Sequence, residues 1–192
     1  MSNRKNRVLA GVVVAAAAGA ALIGTASAAN AAPVAPQGLV SVESCTSATG
    51  STTYQPGLTT VTRNQTAQLS ATLGGCSNAF NGASPGTGAL NANLTGTAST
   101  TVTNLRGTFV ISWPTAAGLN PSVGSLGVTG PDAQGRYTVS GSITSGAFTG
   151  STVGTTLLTI GTNPGANGSN EHPVTAKQFV NTAPLQVRRS NW

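Results

Sequence analysis

Arg136-Tyr137-Thr138-Val139-Ser140-Gly141-Ser142-Ile143 is the stretch that decides the fold class. Positions 137, 139, 141 and 143 form one face, and Arg136, Thr138, Ser140 and Ser142 form the other. A period of two with polar residues on one side is the signature of a half-buried β-strand. Immediately upstream, Gly130-Pro131-Asp132-Ala133-Gln134-Gly135 is a turn: Pro presets φ, Asp folds back on its own backbone, and Gly provides the exit.

The same pattern recurs on both sides of this stretch. Ala67, Leu69, Ala71 and Leu73 alternate with Thr66, Gln68, Ser70 and Thr72. Phe109, Ile111 and Trp113 share a face, and Pro114 then removes a donor and ends that strand. Strands are expected near 39–45, 58–63, 66–73, 89–97, 100–113, 123–129, 136–144, 152–160 and 174–180, with longer loops at 78–88 and 163–170. No segment after residue 31 keeps an apolar repeat of 3.6 over three turns. The expectation is an all-β domain over 39–192, an antiparallel β-sandwich of immunoglobulin-like or jelly-roll-like form.

The N-terminal end has a different character. Arg4, Lys5 and Arg7 precede an apolar run from Val8 to Ile23, followed by small residues through Ala31. As a helix that run would reach about 24 Å, short of the roughly 30 Å hydrocarbon core. The order basic, apolar, small is that of a secretory signal peptide over 1–31, with a signal-peptide helix as its expected form. Cleavage fits after Ala31, with Ala28 as the alternative, and 32–38 is a Pro/Ala-rich extended lead-in. The chain is therefore read as secreted and extracellular, with no membrane attachment once the leader is cut.

Charge narrows the function classes. The whole chain has nine basic and three acidic residues. Losing Arg4, Lys5 and Arg7 leaves six cations against Glu43, Asp132 and Glu171, a net charge of +3. Six scattered cations, two of them (Arg188 and Arg189) read as a solvated tail, are not the basic stripe that nucleic acid requires. Cys45 and Cys76 form an even pair in an exported chain and are read as a disulfide, worth roughly 3.5 to 4 kcal/mol for so long a loop. Two cysteines and the single His172 are too few ligands for a structural zinc site.

Catalytic constellations are sparse. Asp132 is explained by its turn, and nothing in the sequence brings Glu43 and Glu171 together as an acid–base pair. His172 follows Glu171 in a loop, and the chain has no Gly-x-Ser-x-Gly elbow. No catalytic residue, metal ligand or cofactor is assigned. Phe109, Trp113, Tyr137 and Phe148 read as core, while Phe80 and Trp192 are the candidate surface contacts.

One resemblance is carried by particular residues. Ser44-Cys45-Thr46, then Tyr54-Gln55-Pro56-Gly57-Leu58-Thr59, Gly75-Cys76-Ser77 and Gly146-Ala147-Phe148-Thr149-Gly150 resemble a group of small exported β-proteins of actinobacteria, of uncharacterised function. The group's pattern is Cys, Tyr-x-Pro-Gly-Leu-Thr, Gly-Cys and Gly-x-Phe-x-Gly. It implies export, the Cys45–Cys76 bridge and an all-β fold, and supplies no activity. The composition is also similar, more loosely, to enediyne-carrying apoproteins and to small extracellular enzyme inhibitors.

Together these readings give a monomeric, secreted, non-enzymatic β-domain. It acts through its surface on a cell-envelope component or an extracellular protein. The alternatives are a small-ligand carrier or secreted enzyme inhibitor and, behind both, a hydrolase using His172.

Overall fold

The computed structural model describes residues 39–78 and 84–190. The expected leader with its Ala28 and Ala31 cleavage positions, the expected 32–38 lead-in, Phe80 and Trp192 lie outside the described residues. Eight antiparallel strands form one closed barrel: β1 (Leu39–Leu58), β2 (Arg63–Asn78), β3 (Gly86–Ala98), β4 (Thr103–Ser112), β5 (Ser122–Gly130), β6 (Arg136–Ser145), β7 (Thr152–Thr162) and β8 (Val174–Ser190). Each strand pairs with its neighbours in sequence, and β8 closes on β1 from Leu39↔Ser190 to Leu58↔Val174. A three-residue 3-10 turn, Thr115–Ala117, is the one helical element among the described residues.

The fold is all-β, as the alternation requires, but it is not a sandwich. A period of two says that one face of a strand is buried; it does not say whether that face meets a second sheet or the far side of its own. Here the inward faces of all eight strands converge on one axis. Phe109, Leu94, Leu105, Ile111, Ile143 and Leu185 are each at most 2 % exposed there. Glycines inside strands let the sheet curl this tightly. A Cβ on Gly107 would run into the backbone carbonyl of Asn93 on β3, and one on Gly124 into that of Ser142 on β6.

Strand bounds also differ from expectation. β1 continues past residue 45 to Leu58, and the strand expected at 58–63 is instead the end of β1, the 59–62 turn and the start of β2. Its register against β8 shifts between Cys45 and Thr49. Asn181 holds that irregularity, accepting from the Ala48 N–H at 2.8 Å and donating to the Thr46 carbonyl at 3.1 Å. Pro56 falls within a second shift, between Thr53 and Leu58, where a missing N–H costs no ladder bond. At the other terminus, Arg188 and Arg189 are not a tail. They lie in β8, where Leu185 and Val187 face inward and Arg188 pairs with Ser41 on β1 and Thr152 on β7.

The meander gives the barrel two distinct ends. The turns 59–62, 99–102, 131–135 and 163–173 lie at one, here the distal end. The first residues of β1, the last of β8, and the connections 113–121 and 146–151 lie at the other, the terminal end. The outer wall is polar but almost uncharged. One belt of register partners runs Thr53, Gln68, Asn93, Thr108, Ser125, Ser142 and Thr152 to Arg188, all exposed. This polarity, apolar inside and hydroxylic outside, is the inverse of a membrane-spanning barrel.

Candidate functional site: the outer groove and the buried polar groups

The interior has little free space. One apolar gap, between Leu69, Leu90, Leu126, Val153 and Phe179, holds about 20 Å³. A second gap of about 20 Å³ lies nearer the distal end, beside Tyr54, Tyr137 and Lys177. Each has room for about one water. A drug-sized ligand needs several hundred cubic ångströms, so the barrel lumen gives no support to a carrier reading.

The space is on the outside. A groove of about 600 Å³ crosses the outer faces of β6, β7 and β8. Its walls carry the side chains of Thr138, Ser140, Thr152, Thr156, Gln186 and Arg188. Gly154, at an outward position of β7, leaves part of its floor bare. The reason is visible in β6 and β7, whose outward positions here are Ser, Thr or Gly, while β8 supplies the longer Gln186 and Arg188 at one side. The Arg188 guanidinium is set by Gln186, whose Oε1 accepts from Nε at 3.0 Å and from Nη2 at 2.8 Å. Thr155 donates to the Ala183 carbonyl at 2.8 Å, tying β7 to β8 where their register slips. No carboxylate from the described residues lines the groove. Its chemistry is therefore hydroxyl, amide and one fixed cation.

Most of the residues singled out in the sequence have structural tasks. Cys45 and Cys76 are bonded across β1 and β2, where they are register partners, with an S–S separation of 2.13 Å. Asp132 accepts from the N–H groups of Gln134 and Arg136, both at 2.9 Å, and pairs with the Arg136 guanidinium at 2.8 Å. These bonds, the Arg136 backbone N–H foremost, hold its carboxyl below the usual carboxylate range. His172 acts through its main chain: its N–H donates to Ser169 Oγ, and its carbonyl accepts from Asn167 and Gly168. The 163–173 loop is further pinned by Asn163, whose Oδ1 accepts from Thr175 and Ala176, and by Thr60 donating to Gly168. These bonds stitch the loop to itself and to its neighbours.

Glu43 and Glu171 are not brought together. Glu171 lies in the distal 163–173 loop, and Glu43 lies near the terminal end of β1. Glu43 is 1 % exposed, and neither carboxylate oxygen has a hydrogen-bond partner among the described residues. Burial raises its pKa to about 7. It stands with Cys45 and Cys76 in the one group of three metal-ligating side chains found among the described residues, their ligand atoms within 4.8 Å. The disulfide occupies both sulfurs, so the group as it stands offers a metal only a single carboxylate.

Of the aromatics expected in the core, Phe109, Trp113 and Tyr137 are buried and Phe148 is partly so. Trp113 packs edge-on against Phe148 at 5.7 Å, and its Nε1 donates to Ser122 Oγ at 3.0 Å. Ser122 in turn donates to the Ala147 carbonyl at 2.7 Å, which closes the terminal end. The outer groove and the buried Lys177 carried no mark in the sequence; the only available signal was the run of Gly, Ser and Thr at outward positions of β6 and β7. No family model, curated protein or solved structure matches this chain.

Proposed function

We propose that this protein is a secreted, non-enzymatic binding domain that holds a neutral, hydroxyl-rich polymer of the cell envelope in the groove across β6, β7 and β8. The observation that carries the reading is the groove itself: about 600 Å³ of open space, lined by hydroxyl and amide groups with the single Arg188 cation, and with no carboxylate from the described residues. Apart from the Arg188 guanidinium, which Gln186 already holds, such walls exchange hydrogen bonds with a polyol at little desolvation cost, since no other charge gives up its hydration. A typical hydrogen bond contributes about 0.5–1.5 kcal/mol net. A handful of them makes a weak single contact, so useful retention depends on a repeating ligand that rebinds along its length. A polymer fits that requirement better than a free small molecule does.

Gly154 provides the test. A Cβ placed there meets only the Val139 carbonyl, at 3.6 Å, so a larger residue can enter the groove without disturbing the barrel. The wild-type chain is expected to sediment with purified cell wall, with the G154Y variant losing at least tenfold in retention. Thr108→Tyr, exposed on β4 on another part of the wall, should retain wild-type binding. Equal sedimentation of the wild type and G154Y, or retention on immobilised culture-supernatant protein in place of wall, would overturn the assignment.

A further inference from the structure

We propose that the barrel binds a single halide ion, chloride under ordinary conditions, in the small void beside Lys177. Lys177 lies on β8 with its side chain inside the barrel, and it is 7 % exposed. Its Nζ donates to the Tyr137 hydroxyl at 2.7 Å and lies 5.0 Å from the Tyr137 ring centroid and 6.0 Å from that of Tyr54. The aromatic faces offset part of the cost of burying the ammonium. They do not neutralise it, and a buried cation left without a counter-charge is a costly arrangement.

No carboxylate fills that role. Asp132 is engaged with Arg136 in the one ion pair among the described residues, Glu171 is exposed in the distal loop, and Glu43 lies toward the opposite end of the barrel. An ammonium has three N–H donors, and the Tyr137 hydroxyl accounts for one of them. The gap of about 20 Å³ beside it is walled on its polar side by Thr52, Tyr54, Tyr137 and Thr159. Thr52 already gives its O–H to Tyr54, and Tyr54, Tyr137 and Thr159 can each turn an O–H toward the gap. Burial, with a smaller push from Tyr137, raises the Tyr54 phenol, which keeps it in the donor form.

Size and chemistry together select the ligand class. The void takes one water-sized species, which rules out phosphate, sulfate and carboxylates. An ammonium with several hydroxyl donors and no carboxylate favours an acceptor that carries negative charge. A monatomic anion meets both conditions. This site is independent of the outer groove, so neither proposal rests on the other.

The test uses the full chain with its disulfide intact. Thermal melts are compared in chloride and in gluconate at matched ionic strength and pH, because gluconate is too large for the void. Expected is a rise in Tm that grows with the logarithm of chloride above the Kd, about 3–6 °C at ten times the Kd, and none with gluconate. Lys177→Met should abolish the chloride dependence, and Thr159→Val should weaken it. If Lys177→Met does not fold, wild-type crystals grown in bromide decide the matter, with an anomalous peak expected against Lys177 Nζ. Identical melting in both salts, or a water only at that position in the bromide crystals, would overturn the proposal.

Discussion

Glu43→Gln is the most informative single change for the fold, because it isolates one buried ionisation. Glu43 is 1 % exposed, its oxygens lack partners among the described residues, and burial raises its pKa from 4.5 to about 7. The sign follows from linkage: the folded-state pKa lies above the unfolded value, so folding favours the protonated acid. Its cost is small below pH 4.5, grows as pH rises, and is complete above about pH 7. A shift of this size corresponds to about 3 kcal/mol at full development, of which roughly 2 to 3 kcal/mol arises between pH 5 and 8.5. Gln keeps the shape and removes the charge. Urea unfolding of the full chain, with the disulfide intact, should show the wild type losing that amount between pH 5 and 8.5 relative to Glu43→Gln. The two proteins should be close at pH 5. In thermal melts the gap at pH 8.5 is expected to be about 5–10 °C for a domain of this size. If wild type and variant run parallel across the whole range, the carboxylate has partners or water that stabilise it, and the reasoning from burial fails.

Three other outcomes follow from single contacts. Replacing both Cys45 and Cys76 with Ala should cost about 3–4 kcal/mol in urea unfolding, since the bridge spans a sequence separation of 31 residues; a loss below about 1 kcal/mol would show that the register pairing of β1 and β2 alone constrains the chain. Gly107→Ala places a Cβ against the Asn93 carbonyl, and should destabilise by about 1–3 kcal/mol although alanine is the smallest possible addition; unchanged stability would mean that the curl of β3 and β4 relaxes freely. Ser122→Ala leaves the Trp113 indole N–H without its acceptor inside the terminal end, and should cost about 1–3 kcal/mol, with a change in tryptophan emission reporting the loss of packing against Phe148.

How the chain was legible depends on what kind of interaction each feature reflects. The strand at 136–143 could be read from its own residues because its pattern is local: side chains alternate about the backbone whatever lies beyond them. The same holds for the Asp132 turn and for the end of β4 at Pro114. The groove was not legible, since it is a depression relative to neighbouring strands and exists only once β6, β7 and β8 lie side by side. Lys177 was hidden for a related reason. One lysine in an alternating strand reads as solvent-facing, and only the register of β8 against β1 and β7 turns it inward to meet Tyr54 and Tyr137. Arg188 shows the converse, a residue resembling a loose tail that pairs on both sides within a strand.

By itself, the amino-acid sequence determined that the chain is built of β-strands, where several of its turns fall, and that two cysteines are available to bridge it. These properties are set by period, by proline and glycine geometry, and by count. Tertiary structure alone decided that the sheet closes on itself, that Glu43 is buried without a hydrogen-bond partner among the described residues, and that a cation sits among hydroxyls inside the barrel. Closure depends on which strand edges meet after the chain has curled, and those edges, β1 and β8, stand at opposite ends of the described chain. No local pattern records a pairing over that distance.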